Sequence, residues 1–298
     1  MKKKLTYYYK TFIIYIMKDN LKLFISLFIV YIFFKNSFLI TNEIINSSTM
    51  FFYIIFPSTF INLLLMDILY YLNFPYHLHH ILKIPYKYIL IILSFISGTP
   101  SNIYLIKNLY LNKDIDKEEV KNMISYTFFI NPFFLYTMLN KIFNFRTSIL
   151  LIVIPLLINI VKSLFLKDNF ELIIKPKKES LFIYIINSVK NNINTLLNIL
   201  GSIILINIIN VLINKNNNLV LTGILEITKG LNLVINSNLI YDIKLILATF
   251  FINFGGLSII TQAYSIIDDK NISYLSIIKG RIASSFIAIM IIIILNTI

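Results

Sequence analysis

Ser97-Gly98-Thr99-Pro100-Ser101-Asn102 interrupts an oily run, Ile89-Leu90-Ile91-Ile92-Leu93-Ser94-Phe95-Ile96. A second interruption, Phe254-Gly255-Gly256-Leu257-Ser258-Ile259-Ile260-Thr261-Gln262, follows Leu245-Ile246-Leu247-Ala248-Thr249-Phe250-Phe251. Unpaired backbone polar groups cost several kcal/mol in hydrocarbon, so a helix broken inside a membrane must lie against protein or a wet cavity. One such break in each half of a chain is the sequence mark of a transport site.

The surrounding composition fits that setting. Of 298 residues, 57% are hydrophobic and only 14% are charged, against roughly 25% charged in soluble domains. Mean hydropathy is +0.78. These values describe an integral membrane protein, and the length suits about six to nine segments of about 20 residues each. Cysteine is absent, which excludes disulfides and thiolate metal sites; tryptophan is absent too, so the 19 tyrosines supply the aromatic belt. The net charge of +13 falls mostly between apolar runs. It therefore reads as orientation and attraction to anionic lipid heads rather than nucleic-acid binding.

Apolar runs place helices near 21–40, 51–72, 86–106, 123–141, 146–166, 193–214, 218–236, 243–265 and 276–297. Asp116 and Glu119 stand at capping-box spacing and start a short surface helix. The basic N-terminus (Lys2, Lys3, Lys4, Lys10) has no small-residue cleavage site after its first apolar run and reads as a retained first helix. The positive-inside rule puts that N-terminus, 73–87, 162–180 and 270–281 in the cytoplasm. Crossing parity then makes 86–106 and 218–236 re-entrant from opposite faces, with Lys141 and Arg146 outside. The expected fold is an all-α polytopic membrane protein of two inverted repeats, each with a re-entrant hairpin and a broken helix. Its parts are a basic segment and first helix (1–45), a first half (46–166), a cytoplasmic polar connector (167–192) and a second half (193–298).

Few residues stand out chemically. Glu226, flanked by Gly223 and Gly230, is either a substrate or proton site at a hairpin tip or an interfacial acid paired with Lys229. Asp67 in an apolar run is a coupling site or a helix–helix hydrogen bond. Asn131-Pro132 frees a carbonyl and adds an amide, or simply kinks a helix. His77, His79 and His80 read as an interfacial cluster rather than a metal site. No nucleophile–base set, phosphate loop or dinucleotide fingerprint is present, so the chain is not expected to be an enzyme or to hold a cofactor.

Taken in order, the motifs resemble those of the YlbJ-type sporulation integral membrane proteins, of the nucleoside-recognition (Gate) superfamily. The similarity runs over about 45–285. It begins with Phe56-Pro57-Ser58-Thr59-Phe60 and Asp67, then Ser97-Gly98-Thr99-Pro100 like the family's S-G-Y-P. Glu118-Glu119 and Asn131-Pro132-Phe133 follow. Glu226-Ile227-Thr228-Lys229-Gly230 resembles E-x-T-x-G, and Phe254-Gly255-Gly256-Leu257-Ser258 with Gln262 resembles F-G-G-x-S-x-x-x-Q. Asn102, Tyr104 and Ile260 depart from the family pattern, which alters the polar lining expected of its cavity.

The resemblance implies a relative of concentrative nucleoside carriers, moving a nucleoside-like or anionic solute such as dipicolinate in spore formation. The expected substrate-binding set is Ser97, Gly98, Thr99, Pro100, Ser101, Asn102, Asn131, Pro132, Glu226, Thr228, Gly230, Gly255, Gly256, Ser258 and Gln262. Backbone N–H groups at the hairpin tips would meet an anionic solute, and Asp67 and Glu226 would couple an ion or proton. The expected setting is a bacterial inner membrane with the N-terminus cytoplasmic. Expected partners are the lipid bilayer, a small solute and a coupling cation, with room for a homo-oligomer and none for nucleic acid. The rival readings are a non-transporting scaffold for spore or envelope maturation and an intramembrane enzyme.

Overall fold

The computed structural model describes residues 20–166, 179–214, 218–267, 269 and 272–297, all helix and connection with no strand among them. Expectations for Lys2, Lys3, Lys4, Lys10, Lys270 and most of the 167–180 connector lie outside the described residues. Helix α1 covers 20–35 and turns at Asn36. Helix α2 (Ser37–Met50) runs through a π-helical turn, Phe51–Ile55, into α3 (Phe56–Tyr71). Pro57 lies in the first turn of α3. Its ring carries no N–H to return to the preceding turn, and the widened backbone ahead of it accommodates that loss.

Polar residues 41–50 were expected to join two helices. Instead they are helical. The reason is spacing: Ile40, Glu43, Ser47 and Phe51 are buried at three- and four-residue intervals, on one protein-facing side. The same effect moves the other expected boundary. Helix α10 spans Leu181–Ile213 and is capped by Ser180, so it begins twelve residues before the expected 193 and absorbs part of the connector. Its Ser188, Asn192, Ser202, Asn207 and Asn210 all point inward, where it packs on α2 and α3.

The remaining elements are α4 (Phe74–Leu82), α5 (Tyr86–Ser97), α6 (Ser101–Leu111), α7 (Lys117–Thr127), α8 (Pro132–Leu139) and α9 (Phe145–Leu164). After α10 come α11 (Leu219–Leu225), α12 (Ile227–Asn236), α13 (Tyr241–Phe254), α14 (Gly256–Ile267) and α15 (Tyr274–Thr297). The Asp116–Glu119 capping box forms, with both bonds at 2.8 Å, and starts α7. Among the described residues five helical stretches are long and apolar enough to cross a membrane: Ser37–Tyr71, Phe145–Leu164, Leu181–Ile213, Tyr241–Ile267 and Tyr274–Leu295. The chain is a multi-pass membrane protein. At 12 residues, α5 reaches only about 18 Å, short of the roughly 30 Å hydrocarbon core.

Element order recurs in the two halves. A long helix (α2–α3, then α10) precedes two interrupted pairs (α5/α6 and α7/α8, then α11/α12 and α13/α14) and a closing helix (α9, then α15), with α4 intervening in the first half alone. The halves nonetheless share their cores. Phe254, Ile260 and Ala263 of the second half pack with Ile89, Ile103 and Met123 of the first. Ile152 and Ile158 pack with Leu231, Ala248 and Ile292.

At Glu226 the chain doubles back. A Cβ placed on Gly230 would sit 2.3 Å from the Gly223 Cα, and one on Gly223 would enter the Phe251 ring. Residues seven apart on a straight helix are about 10 Å apart, so α11 and α12 form a hairpin whose arms touch through glycine. Gly230→Ala is expected to overpack this crossing by about 1–3 kcal/mol. The check is a lower apparent melting temperature in detergent than for the wild type.

Candidate functional site

Four backbone interruptions meet at the centre of the fold. The first follows α5. Gly98 adopts φ 72° and ψ 168°, a region open to glycine almost alone, and leads into a cis Thr99–Pro100 bond. The second separates α7 from α8 at residues 128–131. These two cross: Thr99 N donates to Phe129 O at 2.6 Å, and the Asn102 amide donates to Thr127 O at 2.5 Å. A Cβ on Gly98 would lie 2.6 Å from the Asn131 N. From α3, Asn62 donates to Ser97 O at 3.2 Å and pins the same turn.

The second half repeats the arrangement. Gly255, left-handed at φ 87°, closes α13, and Gly256 at φ 75° opens α14. A Cβ on Gly256 would stand 3.1 Å from Ile227 N and 3.6 Å from Glu226 Cα. The two broken helices also touch each other. Gly255 faces the Phe128 ring, and the Arg281 guanidinium stacks over that ring at 4.5 Å. Arg281 donates to Phe128 O at 3.3 Å and to Asn253 O, one carbonyl from each break.

A cavity of about 80 Å³ lies where the interruptions converge. Thr99, Pro100 and Asn131 line it from the first half, and Glu226, Thr228 and Gln262 from the second. Ser58 and Thr59 of α3 add hydroxyls, while Ile203, Ile227 and Ile259 add apolar wall. Each water needs about 10–15 Å³ of such space, so the cavity holds several waters or one small solute. Thr99 Oγ1, in its wall, is buried without a protein partner, as are Ser97 Oγ, Asn102 Oδ1 and Ser258 Oγ in the turns that carry the wall. Such atoms are costly unless something bonds them, typically about 1–3 kcal/mol each.

The other expected site residues stand behind this lining. Ser97, Gly98, Ser101 and Asn102 build the first turn, Gly255, Gly256 and Ser258 the fourth, Gly230 the hairpin crossing, and Pro132 the start of α8. Asp67 lies elsewhere, between α3 and α10, accepting from the Asn192 amide at 3.0 Å. His79 bonds Ile84 O and His80 bonds the Tyr76 hydroxyl, away from the cavity.

Two details change the expected chemistry. Glu226 caps its own helix, its carboxylate accepting from Thr228 N at 3.1 Å and Lys229 N at 2.7 Å. Asn131 does the same for α8, accepting from Phe133 N and Phe134 N. Those four N–H groups are therefore already bonded to protein oxygens. Lys229 does not pair with Glu226 either; it forms an ion pair with Glu43 of α2. Glu43 in turn accepts from Ser47, and Ser47 from Asn207.

No family model, curated protein or solved structure matches this chain.

The cavity wall carries little charge. Its one formal charge is the Glu226 carboxylate; the rest are hydroxyls and amides on an apolar wall. Such a lining binds by hydrogen bonds and favours solutes with donors. Sequence reasoning missed Arg281, counted with the cytoplasmic charges of 270–281; the structure puts it two turns inside α15 at 3% exposure. It also missed Glu43, hidden in a stretch read as a joint.

Proposed function

We propose that this protein is a carrier of the bacterial inner membrane, its N-terminus cytoplasmic, that binds a small polar solute at the crossing of its chain breaks. In this reading α5/α6 and α11/α12 are re-entrant hairpins, α7/α8 and α13/α14 are broken helices, and the halves are inverted repeats. The observation that carries it is that one cavity is lined both by Thr99 and Asn131 of one half and by Glu226, Thr228 and Gln262 of the other. Irregular backbone at membrane depth is tolerated around such a wet site and is otherwise hard to sustain.

The resemblance to spore-formation proteins of the nucleoside-recognition superfamily points to the same kind of solute. Glu226 narrows it. A neutral, donor-rich molecule such as a nucleoside suits a lining whose only charge is negative, and a dicarboxylate such as dipicolinate is repelled. About 80 Å³ does not accommodate a nucleoside, so loading requires a hairpin to move. The Lys229–Glu43 ion pair ties α12 to α2 and is the tether that this movement releases. Any coupling cation acts through Glu226, the acid in the cavity wall.

The test is uptake by proteoliposomes of labelled nucleosides, with dipicolinate in parallel. Saturable nucleoside uptake is expected, reduced about tenfold or more in Gln262→Leu and Thr99→Val, since each loses a hydrogen bond to bound solute. Absence of saturable flux for every solute would favour the non-transporting scaffold instead.

A further inference from the structure

A second, larger cavity has no lining residue in common with the first. It measures about 310 Å³ and lies between α7, the end of α9 and the start of α15. Its charged lining is entirely basic among the described residues: Lys121, Lys162 and Arg281, with Ser125, Ser276 and Asn122 as further hydrogen-bonding groups. We propose that this cavity binds a phosphate group.

The argument begins with uncompensated charge. Taking a cation out of water costs several kcal/mol unless an opposite charge or a full set of hydrogen bonds replaces the solvent. Arg281 is 3% exposed, and its Nε has no hydrogen-bond partner. Its other two nitrogens bond carbonyls, which carry only partial charge. Lys162 bonds the Ser284 hydroxyl and, at 3.5 Å, Gly280 O. The ion pair found among the described residues is Lys229–Glu43, on other helices, and no carboxylate of the described residues pairs with Lys121, Lys162 or Arg281. Two or three converging cations with serine hydroxyls beside them are the donor set a phosphate takes. A volume near 300 Å³ is also at the size of ordinary ligand pockets.

A phosphate there would act on the fold. Arg281 reaches from this cavity to Phe128 O and Asn253 O, the carbonyls of both broken helices. An anion beside the guanidinium holds it in place, and so stabilises the backs of the two breaks that face the solute cavity. The proposal stands apart from the transport reading, because it concerns different atoms and is measured without flux.

Two sources could supply the group, a lipid headgroup or free phosphate, and the experiment separates them. Apparent melting temperature is measured for purified protein in neutral detergent with sodium phosphate against sodium chloride at equal ionic strength. It is measured again in phosphatidylcholine nanodiscs with and without phosphatidylglycerol. A saturable rise with inorganic phosphate assigns the site to free phosphate. A rise with phosphatidylglycerol alone assigns it to a lipid head. Either response should fall about tenfold in affinity in Lys121→Gln, which removes one charge-assisted bond. Lys121 is exposed on α7, so this variant keeps the fold. Lys162→Gln, deeper in the cavity, should weaken the response at least as much. No response in either medium, or an undiminished one in Lys121→Gln, overturns the proposal.

Discussion

Gly98→Ala is expected to abolish the native arrangement of the breaks, with a loss of folded, monodisperse protein in detergent. Two costs add. The backbone at φ 72° and ψ 168° is strained for any L side chain, by about 1–3 kcal/mol. The new methyl would also sit 2.6 Å from Asn131 N and 2.8 Å from its Cα. Both are backbone atoms held by the Asn131 cap on α8, so the methyl cannot be relieved by a side-chain rotation. Either α5 withdraws from the second break, or α8 loses its cap; each removes Thr99 and Asn131 from the common cavity. Gly201→Ala is the control. Gly201 lies inside α10 with nothing near its would-be Cβ, and alanine there should raise stability by about 0.5–1 kcal/mol. Opposite signs from one substitution type at two glycines distinguish the crossing from any general effect on helix packing. Thermal unfolding followed by size-exclusion chromatography reads both.

The chain contains no cysteine, so a single Thr99→Cys gives one thiol at the cavity. In the Gly98→Ala background its labelling by a small water-soluble maleimide should rise sharply, because the turn no longer packs on residues 128–131. Unchanged melting and unchanged labelling together would mean that the two breaks do not touch.

How much of this was readable in the sequence depends on which property each feature uses. Helical class and membrane setting follow from composition, and the cap at Asp116 follows from local spacing. Gly98, Glu226 and Gly255 were visible as breaks because glycine, proline and acid stand out against an apolar background. Their mutual contact was not visible, since Gly98, Phe128, Glu226 and Gly255 lie far apart in sequence and are brought together only by tertiary packing. Helix limits failed for another reason. Hydropathy averaged along 41–50 and 181–192 registers polar residues without saying which side they face. Glu43, Ser47, Ser188 and Asn192 face protein, so both stretches are helix. The same averaging disguised Arg281. A positive charge near a helix start counts as a cytoplasmic anchor, and only the three-dimensional course of α15 reveals that this one is enclosed.

Arg281→Met should produce the second large loss, and its pattern differs from that at Gly98. Methionine keeps much of the apolar stem and fills space, so the change tests the guanidinium rather than the volume. Asn253 O loses its guanidinium donor, and Phe128 O keeps only the Asn159 amide at 3.2 Å. Hydrogen bonds to a charged group contribute about 1.5–3 kcal/mol each, so a deficit of about 3–6 kcal/mol is expected for the pair. Arg281→Lys should recover part of it. One ammonium reaches one carbonyl well, but it lacks the planar fork that spans two and the flat face that stacks on Phe128. The expected order of melting temperature is therefore wild type, then Lys, then Met. Phe128→Leu in the wild-type background should cost about 0.5–2 kcal/mol through the lost cation–ring contact, and nearly nothing when Arg281 is already methionine. That non-additivity is the decisive reading. If the two changes simply sum, the guanidinium and the Phe128 ring are not coupled, and Arg281 joins the breaks of the two halves through Phe128 O and Asn253 O alone.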